Sequence, residues 1–300
     1  MQVFLTGATG YIGGAVAHAM IAAGHNVICL ARNEEKAGQL ASLGCRSRIG
    51  ALTDPKILAE AARAADGAIH AAFSWGADAP QVDGAAVDAM LQALEGSRKP
   101  FLYTSGAWVM GSTGDRIAGE SAPLRPPEIV AWRQAVERRV LDATERGVRG
   151  VVIRPAVVFG RNGGMAGTFV RLAREQGVVR IVGEGKNRWS WVHVDDLADL
   201  YVRAFEKAGA GELFLAADGP AVPVGEVAQA AAGLADPPAV VRFLPVEEAR
   251  KEMGPLADAL LLDQCIGSTK AGRLLGWVPK RRSVLEELAG GSYAAFKGTG

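Results

Sequence analysis

The chain has 300 residues, 49% of them hydrophobic, and a formal net charge of +1. This length suits one large domain or two small ones, and the near-neutral charge argues against nucleic acid or an anionic membrane as a partner. Cys29, Cys45 and Cys265 form no C-x-x-C pair, which indicates reduced thiols. The chain starts directly on a strand-like segment, and no apolar run approaches the roughly eighteen residues that cross a bilayer. We therefore expect a soluble, cytoplasmic protein.

The first half of the chain alternates short apolar runs with helical patterns. The apolar runs lack alternation between polar and apolar residues, which is typical of parallel strands covered on both faces. These predicted strands are 2–7, 26–32, 47–52, 67–73, 101–106 and 150–155. The predicted helices between them are 11–23, 34–43, 55–65, 81–96 and 128–146. Strand–helix repeats of this length predict an α/β fold with a doubly wound parallel sheet.

The rhythm breaks after Pro155. A glycine-rich loop, "FGRNGGMAG", precedes a predicted helix at 168–176 and a short strand, "VVRIVG". "GELFLAA" predicts one more strand of the main sheet, and the remaining tail reads as mostly helical. We expect a large domain from 1–160 plus parts of 183–222. Segments 161–182 and 223–300 are expected to form a smaller, mostly helical domain that binds substrate.

The stretch "FLTGATGYIGG" joins a predicted strand to the start of a helix through a glycine turn. Gly7, Gly10 and Gly13 follow G-x-x-G-x-x-G spacing, which lets backbone approach a pyrophosphate closely. The helix then directs its N-terminal amides and partial positive charge at the phosphates. We predict a dinucleotide site here that also includes Thr9, Tyr11 and Ile12. A purely structural glycine turn is the alternative.

The end of the second predicted strand bears on which dinucleotide binds. An NAD site usually has an acidic residue there for the ribose hydroxyls, whereas this strand runs into "CLARNEEK". Arg32 offers charge and a fork of donors to a 2′-phosphate, with Lys36 one turn further on. Glu34 and Glu35 fall at the start of the next helix, where acids are favoured in any case. We predict NADP(H) rather than NAD(H); a solvated Arg32 is the alternative.

Several further motifs carry a resemblance to a known family. "TGATGYIG", "AIHAAF", "YTSG", "RPAVVFG", "WVHVDDLA" and "STKAGRLLGWVP" follow one another along nearly the whole chain. Together they resemble the extended and atypical branches of the short-chain dehydrogenase/reductase superfamily, the NAD-dependent epimerase/dehydratase-like proteins. The resemblance implies a Rossmann-type fold and an active-site serine at Ser105. It also implies cofactor contacts from Leu52, Ala72, Phe73, Thr104, Pro155 and Val158.

The chain departs from this family in the helix after Ser105. Family members carry a catalytic tyrosine followed four residues later by a lysine. Aligning Glu137 with the glutamate that commonly follows that lysine places Arg133 at the lysine position and Ile129 at the tyrosine position. Arg133 cannot supply the proton, because a guanidinium does not release one near neutral pH. We expect it to bind the nicotinamide ribose or an anionic substrate group; a solvated helix position is the alternative.

The tyrosine count leads to the same conclusion without an alignment. The chain has four tyrosines, Tyr11, Tyr103, Tyr201 and Tyr293, and none lies on this helix. The one Y-x-x-x-K match, Tyr293 to Lys297, sits at the extreme C-terminus, and we interpret it as a frayed helix end.

Aromatic residues suggest the nature of the substrate. Trp108, Trp189 and Trp191 follow the serine strand and lie in a later loop, places that commonly face the cleft of such a sheet. With His193 they predict an apolar pocket for a carbonyl, imine or enone, although each tryptophan could equally belong to the core and His193 could be structural. His70, within an apolar strand, is predicted to be packed and hydrogen-bonded. No histidine pairs with other ligands at metal spacing, so we predict no metal.

Three functions remain open on the sequence alone. The leading one is an NADP(H)-dependent oxidoreductase with an atypical active site, in which Ser105 and Arg133 are the catalytic candidates. The alternatives are a non-catalytic NADP(H)-binding redox sensor and an epimerase or isomerase that uses the cofactor transiently. We expect a small-molecule substrate as the main partner. The resemblance also allows a homodimer, for which the helix at 128–146 is the candidate interface.

Overall fold

Thirteen strands and fourteen α-helices build the computed structural model, which describes residues 1–74 and 76–295. The strands are β1 (Gln2–Thr6), β2 (Asn26–Ala31), β3 (Arg46–Ile49), β4 (Gly67–His70), β5 (Pro100–Thr104), β6 (Arg149–Pro155), β7 (Val157–Gly160), β8 (Val178–Val182), β9 (Arg188–Trp189), β10 (Trp191–His193), β11 (Glu212–Ala216), β12 (Val222–Pro223) and β13 (Val240–Leu244). Lys297, the end of the C-terminal Y-x-x-x-K match, lies outside the described residues.

The helices alternate with the strands in the first half and dominate the last third of the chain. They are α1 (Tyr11–Ala22), α2 (Glu34–Ala41), α3 (Pro55–Ala64), α4 (Ala79–Leu94), α5 (Glu128–Ala131), α6 (Arg133–Asp142), α7 (Gly164–Gln176), α8 (Val194–Lys207), α9 (Val224–Ala232), α10 (Val246–Met253), α11 (Leu256–Leu260), α12 (Thr269–Leu275), α13 (Val284–Gly290) and α14 (Ser292–Ala295). Short 3₁₀-helices occupy Ala107–Met110 and Ala143–Arg146. No helix in the described ranges is long and apolar enough to span a membrane.

The central sheet has seven parallel strands in the order β11-β6-β5-β4-β1-β2-β3. The chain builds outward from β1 to β3 and then crosses to the other side of β1 to add β4. In sheets of this kind, ligands bind outside the carboxyl ends of the strands where the order reverses. The predicted doubly wound parallel sheet is therefore confirmed, and its switch point lies between β1 and β4.

Two hydrophobic clusters organise most of the interior. The larger one fills both faces of the seven-stranded sheet and includes Trp277, from the segment after α12. The second is formed by α7, β8, the β9–β10 segment, α9 and α13. Small two-stranded sheets join β7 to β10 and β8 to β13, both in parallel register. The division into two domains at the predicted boundaries stays a prediction.

A buried ion pair lies under the carboxyl end of the sheet. Arg154 on β6 donates from Nε and Nη2 to the two carboxylate oxygens of Glu137 on α6, at 2.9 and 2.5 Å. Both residues are almost completely buried, at 3% and 2% exposure. Because a buried charge is costly unless it is paired, each partner depends on the other. The pair fixes α6, which carries Arg133, against β6.

Replacing Glu137 alone should therefore leave an uncompensated buried arginine. We expect Glu137→Ala to lower the free energy of unfolding by about 3–5 kcal/mol, measured by urea denaturation. Asp142→Ala serves as the matched control, since Asp142 pairs with Arg138 on the exposed side of the same helix. That exposed pair should contribute far less than the buried one, because solvent screens it. Equal losses for the two variants would contradict the assigned role of the buried pair.

Candidate functional site

The glycine turn after β1 packs against the end of β4. Gly7 has φ +83°, and a β-carbon added to it would lie 2.4 Å from the carbonyl oxygen of Ala71. A β-carbon on Gly13 would lie 2.1 Å from the carbonyl oxygen of Gly7. Neither distance is tolerable for a side chain, so the sequence can form this turn only with glycine at both positions. The turn thereby brings the N-terminus of α1 directly over the switch point.

The first turn of α1 is open to an anion. Its N-cap residue is Gly10, which provides no side chain to satisfy the helix amides, and the first turn contains no acidic residue. Thr9 and Gly10 are exposed, whereas Tyr11 and Ile12 are half-buried. Uncapped N-terminal amides combined with the helix dipole form a binding site for phosphate groups. The residues present therefore fit the pyrophosphate of a dinucleotide.

Arg32 immediately follows β2 and is exposed. Within the described part of the chain, its side chain makes neither a hydrogen bond nor an ion pair. The neighbouring Lys36 is engaged instead: its backbone amide donates to the N-cap side chain of Asn33, and its Nζ donates to Gln39. Arg32 is thus the cation at this strand end that remains available to a ligand.

The other predicted cofactor residues also lie near the carboxyl ends of strands. Ala72 and Phe73 follow β4, Thr104 ends β5, and Pro155 ends β6. Two more residues complete the set: Val158 on β7 and Leu52 in the loop after β3, both half-buried. The structure brings these residues to the same edge of the sheet as the glycine turn. Their contact with a cofactor stays a prediction.

Ser105 and Arg133 converge at the end of β5. The backbone amide of Ser105 donates to Ile153, but its Oγ is buried and has no hydrogen-bond partner among the described residues. Arg133 Nη1 donates to the carbonyl oxygen of Thr104 at 3.0 Å, and its guanidinium lies 5.0 Å from the centre of the Phe73 ring. Arg133 is therefore anchored at the site and is not a solvated helix position. Arg133 is thus hydrogen-bonded to the residue that directly precedes Ser105.

The four tyrosines all lie outside α5 and α6. Ile129 lies on α5 and is half-buried. The four hydroxyls each make a hydrogen bond elsewhere. Tyr11 donates to Gly160, Tyr103 to Asp83, Tyr201 to Thr104 Oγ1, and Tyr293 to Gly163. Burial raises the pKa of Tyr103 and of Tyr201 well above the usual range, so neither releases a proton readily at neutral pH.

The predicted pocket residues separate into three locations. Trp108 lies half-buried in the 3₁₀-helix after β5. Trp189 and Trp191 are 2% and 1% exposed and belong to the second hydrophobic cluster, which is the core placement that the sequence left open. His193 caps α8 by accepting a hydrogen bond from Asp195 N at its Nδ1, and burial lowers its pKa.

His193 also borders a groove of about 410 Å³ near Tyr11. The groove is lined by Arg161, His193, Asp195, Lys280, Arg281, Arg282, Glu287 and Ser292. Its character is charged, in contrast to the apolar pocket expected around His193.

Asp218 is a titratable residue that the sequence did not single out. It follows β11, and its Oδ2 is buried without a hydrogen-bond partner in the described part of the chain. Burial raises its pKa to about 7, and the charge of Asp196 adds to this effect while the backbone amide of His193 opposes it. The sequence alone does not indicate that Asp218 is buried, because an aspartate after a strand is ordinarily a turn residue.

The parallel sheet, the glycine turn and the residues at the strand ends define a dinucleotide-binding α/β protein of the Rossmann type. Residues 3–217 match the NAD dependent epimerase/dehydratase family, and the chain belongs to this family. The expected membership among NAD-dependent epimerase/dehydratase-like proteins is thereby confirmed. Family membership places the chain among NAD(P)-dependent oxidoreductases and epimerases.

Relatives of this chain carry out different reactions on a shared fold. An uncharacterised protein of Schizosaccharomyces pombe is 32% identical over 299 residues, covering 98% of this chain and all of the relative. The 2-alkyl-3-oxoalkanoate reductase of Stenotrophomonas maltophilia is 27% identical, covering 76% of this chain and 73% of the reductase. Among solved structures, the Thermus thermophilus UDP-glucose 4-epimerase in complex with NAD has a TM-score of 0.78 at 18% identity, covering 97% of this chain and 99% of the epimerase. At that identity the likeness shows the fold alone.

The raised pKa of Asp218 predicts a specific dependence of stability on pH. Between about pH 4 and pH 7 the folded state binds a proton that the unfolded state has released, so Asp218 destabilises the fold increasingly as the pH rises through this range. Asp218→Asn removes the titration. We expect the free energy of unfolding of the variant, minus that of the parent, to increase by about 2–4 kcal/mol from pH 4 to pH 8, measured by urea denaturation.

Asp236→Asn, a change at an exposed aspartate, is the control. A difference between Asp218→Asn and the parent that stays constant across the range would contradict the raised pKa.

Proposed function

We propose that this protein is an NADP(H)-dependent oxidoreductase that transfers hydride to or from a small, hydrophobic carbonyl, imine or enone. The proposal rests chiefly on the placement of Ser105 and Arg133 at the end of β5, on the same sheet edge as the glycine turn. Ser105 carries a hydroxyl without a partner among the described residues, and Arg133 is anchored to the carbonyl oxygen of the preceding residue, Thr104. NADPH, when bound, supplies the hydride, while the chain's own residues hold and polarise the acceptor.

The preference for NADP(H) follows from the charge at the end of β2. Arg32 is exposed and uncommitted among the described residues, and the strand end lacks an acid that would bind ribose hydroxyls and repel a 2′-phosphate. A guanidinium binds a phosphate through charge and paired donors. The family's description names NAD, so this preference is particular to the chain's own residues.

Ser105 and Arg133 have different roles toward the acceptor group in this proposal. The hydroxyl of Ser105 donates a hydrogen bond that orients the acceptor oxygen or nitrogen, and Arg133 stabilises negative charge that develops there. Since Arg133 keeps its proton, water supplies the proton after or during hydride transfer. Without a positioned phenol, the reaction forgoes the roughly 10²- to 10⁴-fold that general acid catalysis contributes. An acceptor that needs little acid assistance is therefore favoured.

The apolar character of the proposed substrate has two supports. Phe73, 40% exposed, and the half-buried Trp132 border the Arg133 guanidinium, so the cation lies in an aromatic setting. The Stenotrophomonas relative is named as a reductase of an alkyl-substituted oxo acid, a substrate with a ketone and apolar chains. Both observations favour a hydrophobic carbonyl over a nucleotide sugar.

Arg32 provides the test of cofactor choice. We expect Arg32→Ala to weaken NADPH binding about 10- to 100-fold, since a hydrogen bond to a charged group contributes about 1.5–3 kcal/mol, while NADH binding changes little. Dissociation constants for both cofactors are measured by fluorescence titration. Arg46→Ala is the matched control, because Arg46 is also exposed but lies at the amino end of β3, whereas Arg32 follows the carboxyl end of β2. Equal weakening of NADPH and NADH by Arg32→Ala would argue against NADP(H) preference.

Turnover is tested by following NADPH absorbance with a panel of aldehydes, ketones, imines and activated alkenes. We expect consumption with at least one hydrophobic acceptor and a loss of about 10²-fold in kcat/KM for Ser105→Ala, because one donor to the developing charge is removed. Ser121→Ala, at an exposed serine, is the control. NADPH binding with no consumption throughout would instead indicate a sensor. Conversion of substrate without net change in NADPH would indicate an isomerase.

A further inference from the structure

A continuous chain of hydrogen bonds runs through the interior from the glycine turn to Arg133. Thr6 Oγ1 lies 2.7 Å from His70 Nδ1, and His70 Nε2 lies 3.2 Å from Asp83 Oδ1. The hydroxyl of Tyr103 donates to Asp83 Oδ2 at 2.8 Å. Arg133 Nη1 donates in turn to the Tyr103 hydroxyl at 3.2 Å. The chain thus links strands β1, β4 and β5 with helices α4 and α6.

The burial of these groups shows that the chain is part of the interior. Thr6 and Tyr103 are fully buried, His70 is 1% exposed and Asp83 is 5% exposed. A carboxylate in such a place must be hydrogen-bonded, because an isolated buried charge is very costly. Asp83 meets this requirement through His70 and Tyr103, which occupy one oxygen each.

The donors along the chain can be assigned in one consistent direction. The Thr6 hydroxyl donates to His70, and both His70 Nε2–H and the Tyr103 hydroxyl donate to Asp83. Burial raises the pKa of Tyr103 and outweighs the opposing charge of Arg133, and Asp83 raises this pKa further, so the hydroxyl stays protonated. With its proton directed at Asp83, the Tyr103 oxygen is left to accept from Arg133. Asp83 therefore determines which way Tyr103 presents its lone pair.

We propose that Asp83 and Tyr103 are positioning residues for Arg133. Through them the orientation of the Arg133 guanidinium is coupled to β1, the strand that leads into the glycine turn. The proposal rests on the function proposed above, in which Arg133 faces the reacting group. At the other end of the chain, Thr6 directly precedes Gly7 of the glycine turn.

The geometry at Arg133 explains why positioning matters here. Its Nη1 makes both hydrogen bonds, to Tyr103 and to Thr104, and its guanidinium also lies 4.7 Å from the centre of the Trp132 ring. Nε and Nη2 make no hydrogen bond within the described residues. A planar guanidinium stabilises an anion well only when its donors are directed correctly, unlike the ammonium of a lysine. Tyr103 and Thr104 fix that plane and leave two nitrogens for a ligand.

A double-mutant cycle tests whether Tyr103 acts through Arg133. We expect Tyr103→Phe to lower kcat about 10-fold with KM for NADPH changed less than about two-fold, since a hydrogen bond to a charged group is lost while packing is kept. In an Arg133→Met background, the same change should alter kcat less than about two-fold. A similar loss of kcat in both backgrounds would overturn the proposal.

Tyr293→Phe is the matched control. Tyr293 is also a buried tyrosine, and its hydroxyl donates to the carbonyl oxygen of Gly163, away from Arg133. Its effect on kcat should be the same with and without Arg133, as expected for a residue that does not act through it.

Urea midpoints of the same variants separate failure of this proposal from failure of the proposed function. Tyr103→Phe should lower the midpoint in the parent at least twice as much as in the Arg133→Met background. This readout requires no turnover. If the parent reduces no acceptor, the enzyme proposal fails, and a coupled midpoint still supports the positioning of Arg133. If Tyr103→Phe lowers the midpoint equally in the parent and in the Arg133→Met background, the positioning proposal is overturned.

Discussion

The close packing of the glycine turn against the end of β4 is the constraint on which the site depends. Gly7 lies so near Ala71, and Gly13 so near Gly7, that no side chain fits between β1, α1 and β4. This contact places the uncapped amides of α1 over the point where the strand order reverses. Ala72, Thr104 and Pro155 lie at strand ends on the same side, because parallel strands deliver their carboxyl ends to one edge.

The second half of the account concerns Ile129 on α5 and Arg133 on α6, which we propose stand where the family has tyrosine and lysine. In that proposal this segment loses its proton donor but keeps a cation. The buried pair Glu137–Arg154 holds α6 against β6, and the Asp83–Tyr103 bond presents an acceptor to Arg133. In the account proposed here these interior polar groups direct one guanidinium, and Ser105, the residue after Thr104, contributes a hydroxyl without a partner among the described residues.

Much of the architecture was predictable because strands of a sheet that is buried on both faces have unbroken apolar sequences. The predicted strand at 2–7 is β1, and the glycine spacing located the turn before any contact was known. Other features depend on contacts between distant residues. Nothing local pairs Asp83 with Tyr103, makes β13 the partner of β8, or buries Trp189 and Trp191 in a second cluster. The sequence position of Arg133 makes it a candidate site residue. The hydrogen bond that anchors its guanidinium to Thr104 is visible only in the folded structure.

The most direct test of the central claim is a thermal unfolding titration of the protein with NADPH and with NADH. If the glycine turn binds a dinucleotide, the midpoint should rise with cofactor concentration, by about 5 °C at one hundred times the dissociation constant, and NADPH should act at lower concentration than NADH. A midpoint that neither cofactor moves, even at millimolar concentration, would contradict the account.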